Sequence, residues 1–546
     1  MGVAPPPPVP AGVVRRVASD LRAQRRARGQ FPPGELGFSM RRTLAFERQP
    51  LPVLLRCRRR FGPVFTIRLL YAPVVFAIGP AANHYITVSH ASNFRWRDGS
   101  LGDLIPLLGD GLLTTDGDYH KRARRIMLPA FHRERIAAAA GTMLKEVERA
   151  LEPWRPGARV PLYTWTRQLA LRIAMRALFG FDPDRIDFDM ADEFERALGF
   201  WGRDYTTQML RGPGTPWRQM LDARARLDRV IFAEIDRRRE SGERGEDILS
   251  LLMDASDEDG STLSRQELRD QVMTLLFAGH DTTTSTVAFL FYELARNPHE
   301  QEPLRAELAV LPDGGALAAA HMWDGPTPAG TELLDGGAPA GTGMSHGGTQ
   351  DAIPLSHSRT PAATEMSHRG APAGTEPSQD RSPAATPLSH GRAPAATTLV
   401  SGLPRLEMAI DETLRKYPPA WIGPRRSVEP FELEGIRVPG GVMVNYCSWA
   451  SHWLPEVFPE PKRFRPERFT PEARAALPKG AYVPFGGGSR TCIGMRFGLL
   501  EVKAITSSIL RRFSLELAEP ERPLSIRQMP TLSPRGGLPM VVRPAG

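Results

Sequence analysis

A glycine-rich stretch near the C-terminus holds the residues whose types and spacing point most directly to chemistry. It reads FGGGSRTCIG, and it places Cys492 two residues after Arg490 and two residues before Gly494. A thiolate in such a loop could ligate a haem iron, because glycines let the backbone approach both the sulfur and the porphyrin. Arg490 could then bind a haem propionate through a charge-assisted hydrogen bond. The alternative is a glycine-rich turn around a buried structural cysteine.

The spacing Phe-x-x-Gly-x-Arg-x-Cys-x-Gly resembles the haem-binding signature of the cytochrome P450 superfamily. All the fixed positions match, at Phe485, Gly488, Arg490, Cys492 and Gly494. The resemblance implies that Cys492 is the axial thiolate ligand of haem b, and that Phe485, Arg490 and Gly494 help to hold the haem. It also implies a mainly α-helical fold with a smaller β-rich region. In that fold the haem lies between a long central helix and the helix that follows the cysteine loop.

A long helix is predicted from Ser264 to Asn297, in the middle of the chain. Ser264 and Glu267 form a capping-box pattern, apolar residues recur at helical spacing, and Pro298 follows the last turn. The sequence AGHDTT interrupts the apolar pattern within this helix. Two small residues followed by Asp and Thr suit a helix against which another group must lie. The alternative is a polar stripe that faces water.

The AGHDTT sequence resembles the oxygen-activation motif of the same family. By that resemblance, Ala278 and Gly279 leave room over the haem for dioxygen. Thr282 would hydrogen-bond the distal oxygen and help to deliver protons, and Asp281 would link this relay to solvent as a general acid. Asp281 and Thr282 are therefore the candidate catalytic residues.

A second helix is predicted from about Arg405 to Tyr417, and it carries Glu412 and Arg415 on one face. Such a pair is common by chance, but here it precedes Arg468 in the sequence PERF. In the family these three residues form a buried cluster behind the haem, where each charge must be paired. The implied role is structural, since the cluster holds the haem loop in place.

Two further positions match family residues that contact haem propionates. His120 and Arg124 lie four apart on a predicted helix, and Arg425 lies on a strand beyond the Glu412 helix. The alternative for the first pair is a basic surface helix. The assignment of Arg425 is uncertain by one residue, because Arg426 is adjacent.

The bulk composition restricts partners and compartment. The chain has 546 residues, a net charge of +9 and three cysteines. No nucleic-acid motif is present, so the basic charge favours an acidic ferredoxin or flavodoxin, with its NAD(P)H-dependent reductase, over nucleic acid. We expect it to dock near Cys492, at Arg496 and Lys503; a solvated basic surface is the alternative. An odd, low cysteine count fits the cytoplasm.

No targeting or membrane segment is visible in the sequence. It lacks an apolar run of about 18–20 residues and a signal peptide, so no transmembrane anchor is expected. Residues 1–29, rich in proline and arginine, are predicted to form a flexible tail.

A tandem repeat occupies residues 327–403. Eleven-residue units such as TPAATEMSHRG and SPAATPLSHGR recur there. The period is also that of a right-handed coiled coil, but proline and glycine recur through the units and apolar residues are sparse. We therefore predict a disordered insertion of seven repeats within one catalytic domain, residues 30–326 and 404–546.

Together these features imply a haem-thiolate monooxygenase. It would insert one oxygen atom of O₂ into a hydrophobic substrate such as a fatty acid, terpenoid or polyketide, by hydroxylation or epoxidation, with electrons from separate proteins. Two alternatives stay open. One is a peroxide-driven or non-redox haem-thiolate enzyme, such as a peroxygenase, dehydratase or isomerase, against which the Asp281–Thr282 pair argues. The other is a non-enzymatic haem-binding protein.

Overall fold

The computed structural model of the protein describes residues 18, 21–22, 24–26, 29–208, 210–245, 247–256, 260, 262–309 and 403–545. All of these fall in one unit, which excludes residues 333–397. The predicted repeat lies outside the described residues except for Leu403, and so does most of the predicted tail. The predicted single catalytic domain, with its tail and insertion, stays a prediction.

The described residues are mainly α-helical, with a smaller set of strands, which confirms the predicted fold class. The helices are α1 (Met40–Arg48), α2 (Pro50–Phe61), α3 (Pro80–His84), α4 (Ile105–Leu108), α5 (Gly117–Met127), α6 (Arg133–Leu151), α7 (Leu162–Ile173), α8 (Met190–Leu198), α9 (Tyr205–Gln208), α10 (Pro216–Ser241), α11 (Ile248–Asp254), α12 (Arg265–Arg296), α13 (Gln301–Ala309), α14 (Pro404–Lys416), α15 (Ser448–His452), α16 (Pro471–Ala475) and α17 (Met495–Arg512). In this part of the chain, no helix combines the length and apolar character that crossing a bilayer requires.

The strands form one larger sheet and three small ones. They are β1 (Gly34–Glu35), β2 (Val64–Leu69), β3 (Ala72–Ala77), β4 (Phe94–Arg95), β5 (Arg159–Pro161), β6 (Gly423–Ser427), β7 (Phe431–Leu433), β8 (Ile436–Val438), β9 (Met443–Tyr446), β10 (Phe513–Leu517), β11 (Ile526–Arg527), β12 (Ser533–Pro534) and β13 (Pro539–Pro544). The six-stranded sheet has the order β1-β2-β3-β9-β6-β4. The others pair β10-β13-β5, β11-β12 and β7-β8.

The central helix α12 has the ends that the sequence predicts. The Ser264 hydroxyl accepts a hydrogen bond from the Glu267 backbone, and the Glu267 carboxylate accepts one from the Ser264 backbone at 2.9 Å. Asn297 caps the other end, just before Pro298. At 1.5 Å per residue the helix is about 48 Å long. It packs against α7, α10, α14 and α17, so it forms the axis of the main hydrophobic core.

The other three predicted helices are also present, and the one that carries His120 and Arg124 is α5. The helix that carries Glu412 and Arg415 is α14, which ends just before Tyr417 and Pro418. The helix that follows the cysteine loop is α17, whose apolar side chains are buried against α6 and α12. Burial of each large apolar side chain stabilises this packing by about 1.5–3 kcal/mol. The cysteine loop is therefore anchored directly to a rigid helix.

Candidate functional site

The cysteine loop owes its path to glycine. The φ angle of Gly488 is +60°, and a Cβ at this position would lie 2.3 Å from the Thr87 carbonyl oxygen. Only glycine fits such a conformation against neighbouring backbone. The Cys492 backbone N–H donates to the Phe485 carbonyl oxygen at 3.0 Å and closes the loop. The loop is thus held at both ends while Cys492 projects from it.

The Cys492 side chain differs from the other two cysteines. Cys492 is exposed, whereas Cys57 and Cys447 are buried. Burial nevertheless raises the pKa of the Cys492 thiol, against the opposing effects of a hydrogen bond from the Gly494 backbone and the charge of Arg124. Cys492 is thus exposed although protein surrounds it, which suits a ligand that lies against its side chain. The two opposing groups favour the thiolate that a metal would bind.

Basic side chains gather beside the cysteine loop. The guanidinium carbon of Arg425 lies 3.3 Å from the ring centroid of Trp96, and that of Arg490 lies 5.6 Å from the same centroid. Arg490 also donates to an Asp116 carboxylate oxygen at 2.6 Å. The charges of Arg490 and Arg124 both act on His120. The structure thus brings together four of the residues that the sequence predicted to contact haem. We call them the cationic cluster: His120, Arg124, Arg425 and Arg490.

Burial lowers the pKa of every member of the cationic cluster. It lowers the pKa of Arg425 and of Arg490 to about 10. It also lowers the pKa of Arg124, and it lowers the pKa of His120 to about 3, with the charges of Arg490 and Arg124 adding to the effect. His120 is therefore neutral at physiological pH.

The cationic cluster fits the acidic side chains of a haem. Among the residues that the structure describes, Asp116 is the one carboxylate that pairs with any member of the cluster. Buried charge without partners is costly, so such a cluster suits an anionic ligand. The structure places Arg425, which is 2% exposed, in the cluster. Arg426 turns instead to the backbone carbonyls of Asp98 and Gly441.

The middle of α12 exposes a narrow face. From Leu268 to Phe291 every residue is buried except Ala278, Gly279 and Thr282. These positions lie on one side of a helix, so they line one internal space. The Thr282 hydroxyl donates to the Ala278 carbonyl oxygen at 2.8 Å. Small side chains at this face leave room for a group to lie against the helix.

Asp281 does not lie on this accessible face. It is 2% exposed, and both oxygens of its carboxylate accept hydrogen bonds. The Tyr163 hydroxyl donates to one at 3.0 Å, and the Thr531 hydroxyl donates to the other. The predicted link from Asp281 to solvent therefore has to pass through other side chains.

A second buried carboxyl group, that of Glu501, contacts α12 at Thr283. Glu501 of α17 accepts a hydrogen bond from the Thr283 hydroxyl at 2.8 Å, while its other oxygen has no protein partner. Burial raises the pKa of Glu501 to about 8, so the group is a neutral acid at pH 7. The Thr283–Glu501 hydrogen bond links α12 to α17.

Glu412 and its arginines form a buried ion cluster. Arg415 donates to both Glu412 oxygens, at 2.7 and 2.9 Å, and neither side chain is exposed. The third member, Arg468, lies 3.4 Å from Glu412. Arg415 also donates to the carbonyl oxygens of His452 and Pro461. Such paired charges tie α14 to the segment before the cysteine loop.

Several site residues were not assigned these roles from the sequence. No such role was assigned to Trp96, Asp116, Tyr163, Thr531 or Glu501. Tyr163 and Thr531 lie 118 and 250 residues from Asp281 in sequence, so no local pattern joins them. One expectation was wrong. Lys503 is 6% exposed and bonds to Glu407, so it is not available to a partner.

A separate cleft of about 530 Å³ lies between α7 and residues 183–191. Its lining includes Arg172 and Phe188 but none of the residues described above.

Comparisons with known proteins agree with the geometry. The sequence model of the family described as "Cytochrome P450" matches residues 32–319 and 389–538. Cyclooctatin synthase of Streptomyces melanosporofaciens is 30% identical over 453 residues, which cover 80% of each chain. Cyclooctat-9-en-7-ol 5-monooxygenase of the same organism is 30% identical over 417 residues, 75% of this chain and 73% of its own.

The fold is also found in solved structures. Retinoic-acid-bound cyanobacterial CYP120A1 matches with a TM-score of 0.72 at 25% identity, covering 94% of this chain and 99% of its own. The haem domain of cytochrome P450DA matches with a TM-score of 0.71 at 23% identity, covering 94% and 97%.

Proposed function

Because the chain belongs to the cytochrome P450 family of haem-thiolate monooxygenases, we propose that it transfers one oxygen atom of O₂ to a hydrophobic substrate, by hydroxylation or epoxidation. Cys492 is the proposed axial ligand of haem b. The observation that carries this proposal is exposed Cys492, in a protein whose central helix is buried from Leu268 to Phe291 except at half-buried Ala278, Gly279 and Thr282.

The residues around Cys492 suit the binding of this cofactor. When bound, the haem supplies oxygen activation and O–O cleavage, which an axial thiolate favours. Gly494 and Arg124 would stabilise the thiolate, since both lower the pKa of the Cys492 thiol. Arg425 and Arg490 would bind the propionates as cations, and the neutral imidazole of His120 would donate a hydrogen bond. Phe485 closes the loop through its carbonyl oxygen.

Protons for the reaction would come from the side of α12. Ala278 and Gly279 would leave space at the accessible face, and the Thr282 hydroxyl would orient a proton there. Asp281 would hold the next proton, as a carboxylate adjacent in sequence and already bound to two hydroxyl donors. Glu412, Arg415 and Arg468 would act structurally, because their charges are satisfied within the protein.

Electrons would come from a separate acidic protein, such as a ferredoxin or flavodoxin with its NAD(P)H-dependent reductase. With Lys503 excluded, the proposed docking surface consists of exposed Arg133 and half-buried Arg496. The charge of Arg133 acts on Arg496, so these two side chains are close. Electrostatic docking of this kind weakens as salt rises. The three cysteines form no disulfide, which is typical of proteins in the reducing cytoplasm, where such redox partners occur.

The proposed substrate is apolar with one oxygen function. The relatives' names support this class, since one is a monooxygenase for cyclooctat-9-en-7-ol and another structure is bound to retinoic acid. A site lined by Ala278 and Gly279 gives such a molecule few polar contacts. Terpenoids therefore rank ahead of fatty acids and polyketides as substrates to be tested.

The test is isotope incorporation. The purified enzyme, a ferredoxin, its reductase and NADPH are supplied with ¹⁸O₂ and a terpenoid alcohol that shifts the haem spectrum on binding. We expect a product that carries one ¹⁸O atom. Product formed with hydrogen peroxide alone, and none with the reductase system, would instead identify a peroxide-driven enzyme. Haem binding without either product, across all three substrate classes, would favour a non-enzymatic haem protein.

A further inference from the structure

The buried position of Asp281 raises the question of how its carboxylate exchanges protons with water. The Thr531 hydroxyl is one donor to it, but Thr531 is 5% exposed and has no other hydrogen bond from its side chain among the described residues. The neighbouring His280 is fully buried, and among the described residues its ring forms one hydrogen bond, to the Leu276 carbonyl oxygen within α12, and packs against the Phe194 ring. Neither side chain extends the hydrogen-bond path from Asp281 toward the surface. The remaining contact of Asp281 is Tyr163.

Tyr163 of α7 continues this contact away from α12. Its side chain is 4% exposed, and its hydroxyl donates to Asp281 at 3.0 Å. Burial, followed by the charge of Asp281, raises the pKa of the Tyr163 phenol. Tyr163 therefore rests as a neutral hydroxyl, which can donate one proton and accept another.

The far side of the Tyr163 hydroxyl faces the small β11–β12 sheet. Arg527 donates to the Tyr163 oxygen at 3.5 Å and to the Ser533 hydroxyl at 3.1 Å. Arg527 is half-buried, so this sheet connects the phenol to water at the surface. No carboxylate of the described residues lies within 4.0 Å of Arg527, which leaves its charge available to stabilise a phenolate. Arg167 also lies near, 5.7 Å from the ring centroid, but it is paired with Glu195.

We propose that Tyr163 is the residue through which solvent protons reach Asp281, with Arg527 as its positioning residue. This inference rests on the proposed monooxygenase function. In the step, the O–H bond of Tyr163 breaks as its proton moves to the Asp281 carboxylate oxygen. A water molecule beside Arg527 then donates a proton to the Tyr163 oxygen, and the hydroxide that remains takes up a proton from bulk solvent. Arg527 stabilises the negative charge that develops on the phenol in between, and no oxidant or reductant is required.

The first test replaces Tyr163 with phenylalanine. Tyr417→Phe is the matched control, because Tyr417 is also a buried tyrosine that donates to a carboxylate of α12, Glu293 at 2.5 Å. We expect Tyr163→Phe to lower the fraction of NADPH electrons that reach product about tenfold or more, since general acid groups contribute on the order of 10²–10⁴ in rate. The solvent deuterium isotope effect and the pH profile of product formation should change with it. Tyr417→Phe should change none of these three quantities.

A second measurement does not depend on turnover. A double-mutant cycle with Tyr163→Phe and Asp281→Asn, read by urea unfolding, should be non-additive by about tenfold in the unfolding equilibrium constant, as a hydrogen bond to a charged group requires. Additive effects would show that the two side chains do not interact, and would overturn the inference. Arg527→Gln should lower coupling to product while leaving haem content unchanged.

The outcomes separate this inference from the function on which it rests. If wild-type protein forms product from O₂ and Tyr163→Phe forms it with the same coupling and isotope effect, the relay is wrong and the monooxygenase stands. If wild-type protein forms no product from O₂ but the double-mutant cycle is non-additive, the proposed function fails, and the Tyr163–Asp281 contact has only a structural role.

Discussion

At the scale of single residues, the candidate site is defined by an exposed cysteine and by buried arginines that have few carboxylate partners. Cys492 is exposed, and of the buried arginines Arg124, Arg425 and Arg490 beside it, Arg490 is the one that forms an ion pair with a carboxylate of the described residues, that of Asp116. Burial lowers the pKa of all three arginines, which means that the folded protein bears a cost to keep them charged. A ligand with carboxylate groups offsets that cost, so we expect haem binding and local stability to be coupled.

The first prediction concerns Arg425. Arg425→Gln should weaken haem binding by roughly 10- to 100-fold, because a hydrogen bond between charged groups contributes about 1.5–3 kcal/mol. Titration of haem into the haem-free protein measures the affinity. Arg426→Gln is the control, since Arg426 is the next residue of β6 and donates to the backbone carbonyls of Asp98 and Gly441. Equal losses in both variants would show that Arg425 does not bind the propionates.

The second prediction concerns the pH dependence of stability at Glu501. The pKa of Glu501 is raised from 4.5 to about 8 in the folded protein, so the folded state keeps a proton that the unfolded state loses. The stabilisation is complete below about pH 4.5 and is lost as pH rises through 8, at about 1.4 kcal/mol per unit of pKa difference. Glu501→Gln should remove this decline.

Urea unfolding of both proteins from pH 5 to pH 9 measures the effect. The glutamine variant should be the more stable protein at pH 9 and close to wild type at pH 5. Parallel curves for the two proteins would contradict the neutral, buried state of Glu501.

At the scale of elements, the features that depend on neighbouring residues in the sequence, such as helix ends and the cysteine loop, were predictable. The capping box at Ser264 fixes the start of α12, and Pro298 fixes its end, so both boundaries were predictable. The glycine spacing of the cysteine loop was equally local. The surroundings of Asp281 were not predictable, because Tyr163 and Thr531 reach it from α7 and from the loop between β11 and β12. The burial of Lys503 was not predictable for the same reason, since its partner Glu407 is 96 residues away in sequence.

The third prediction tests the glycine requirement of the cysteine loop. Gly488→Ala should displace the loop and lower haem content, because its Cβ would lie 2.3 Å from the Thr87 carbonyl oxygen. Gly435→Ala is the control. Its φ of +71° is also left-handed, but nothing lies within 4 Å of the added Cβ. Gly435→Ala should therefore cost about 1 kcal/mol in stability without loss of haem. Full haem content in Gly488→Ala would contradict the close packing against Thr87.

At the scale of the whole molecule, the proposed site residues come from both sides of the repeat in the sequence. The accessible face of α12 precedes it, while α14, the cysteine loop and α17 follow it. Residues 327–403 are predicted to form a disordered insertion, and the structure indicates where a deletion that tests this prediction should end. Leu403 is 2% exposed and packs in the main core just before α14, so a deletion should retain it.

The fourth prediction follows from this arrangement. Deletion of residues 327–402 should leave haem content and turnover within about twofold of wild type, because connections in surface loops have modest effects on stability. The haem absorbance ratio and product formation measure the two quantities. Loss of haem in the deletion protein would show that the repeat supports the fold, and the insertion hypothesis would be wrong.

The central claim is that the Cys492 sulfur binds the haem iron, and the most direct measurement is the absorption spectrum of the dithionite-reduced protein under carbon monoxide. The wild-type protein, Cys57→Ser and Cys447→Ser should all show the long-wavelength Soret band of thiolate-ligated haem, since the latter two cysteines are buried elsewhere. Cys492→Ser should lose that band. The same band in Cys492→Ser, or its absence from haem-loaded wild-type protein, would contradict the account.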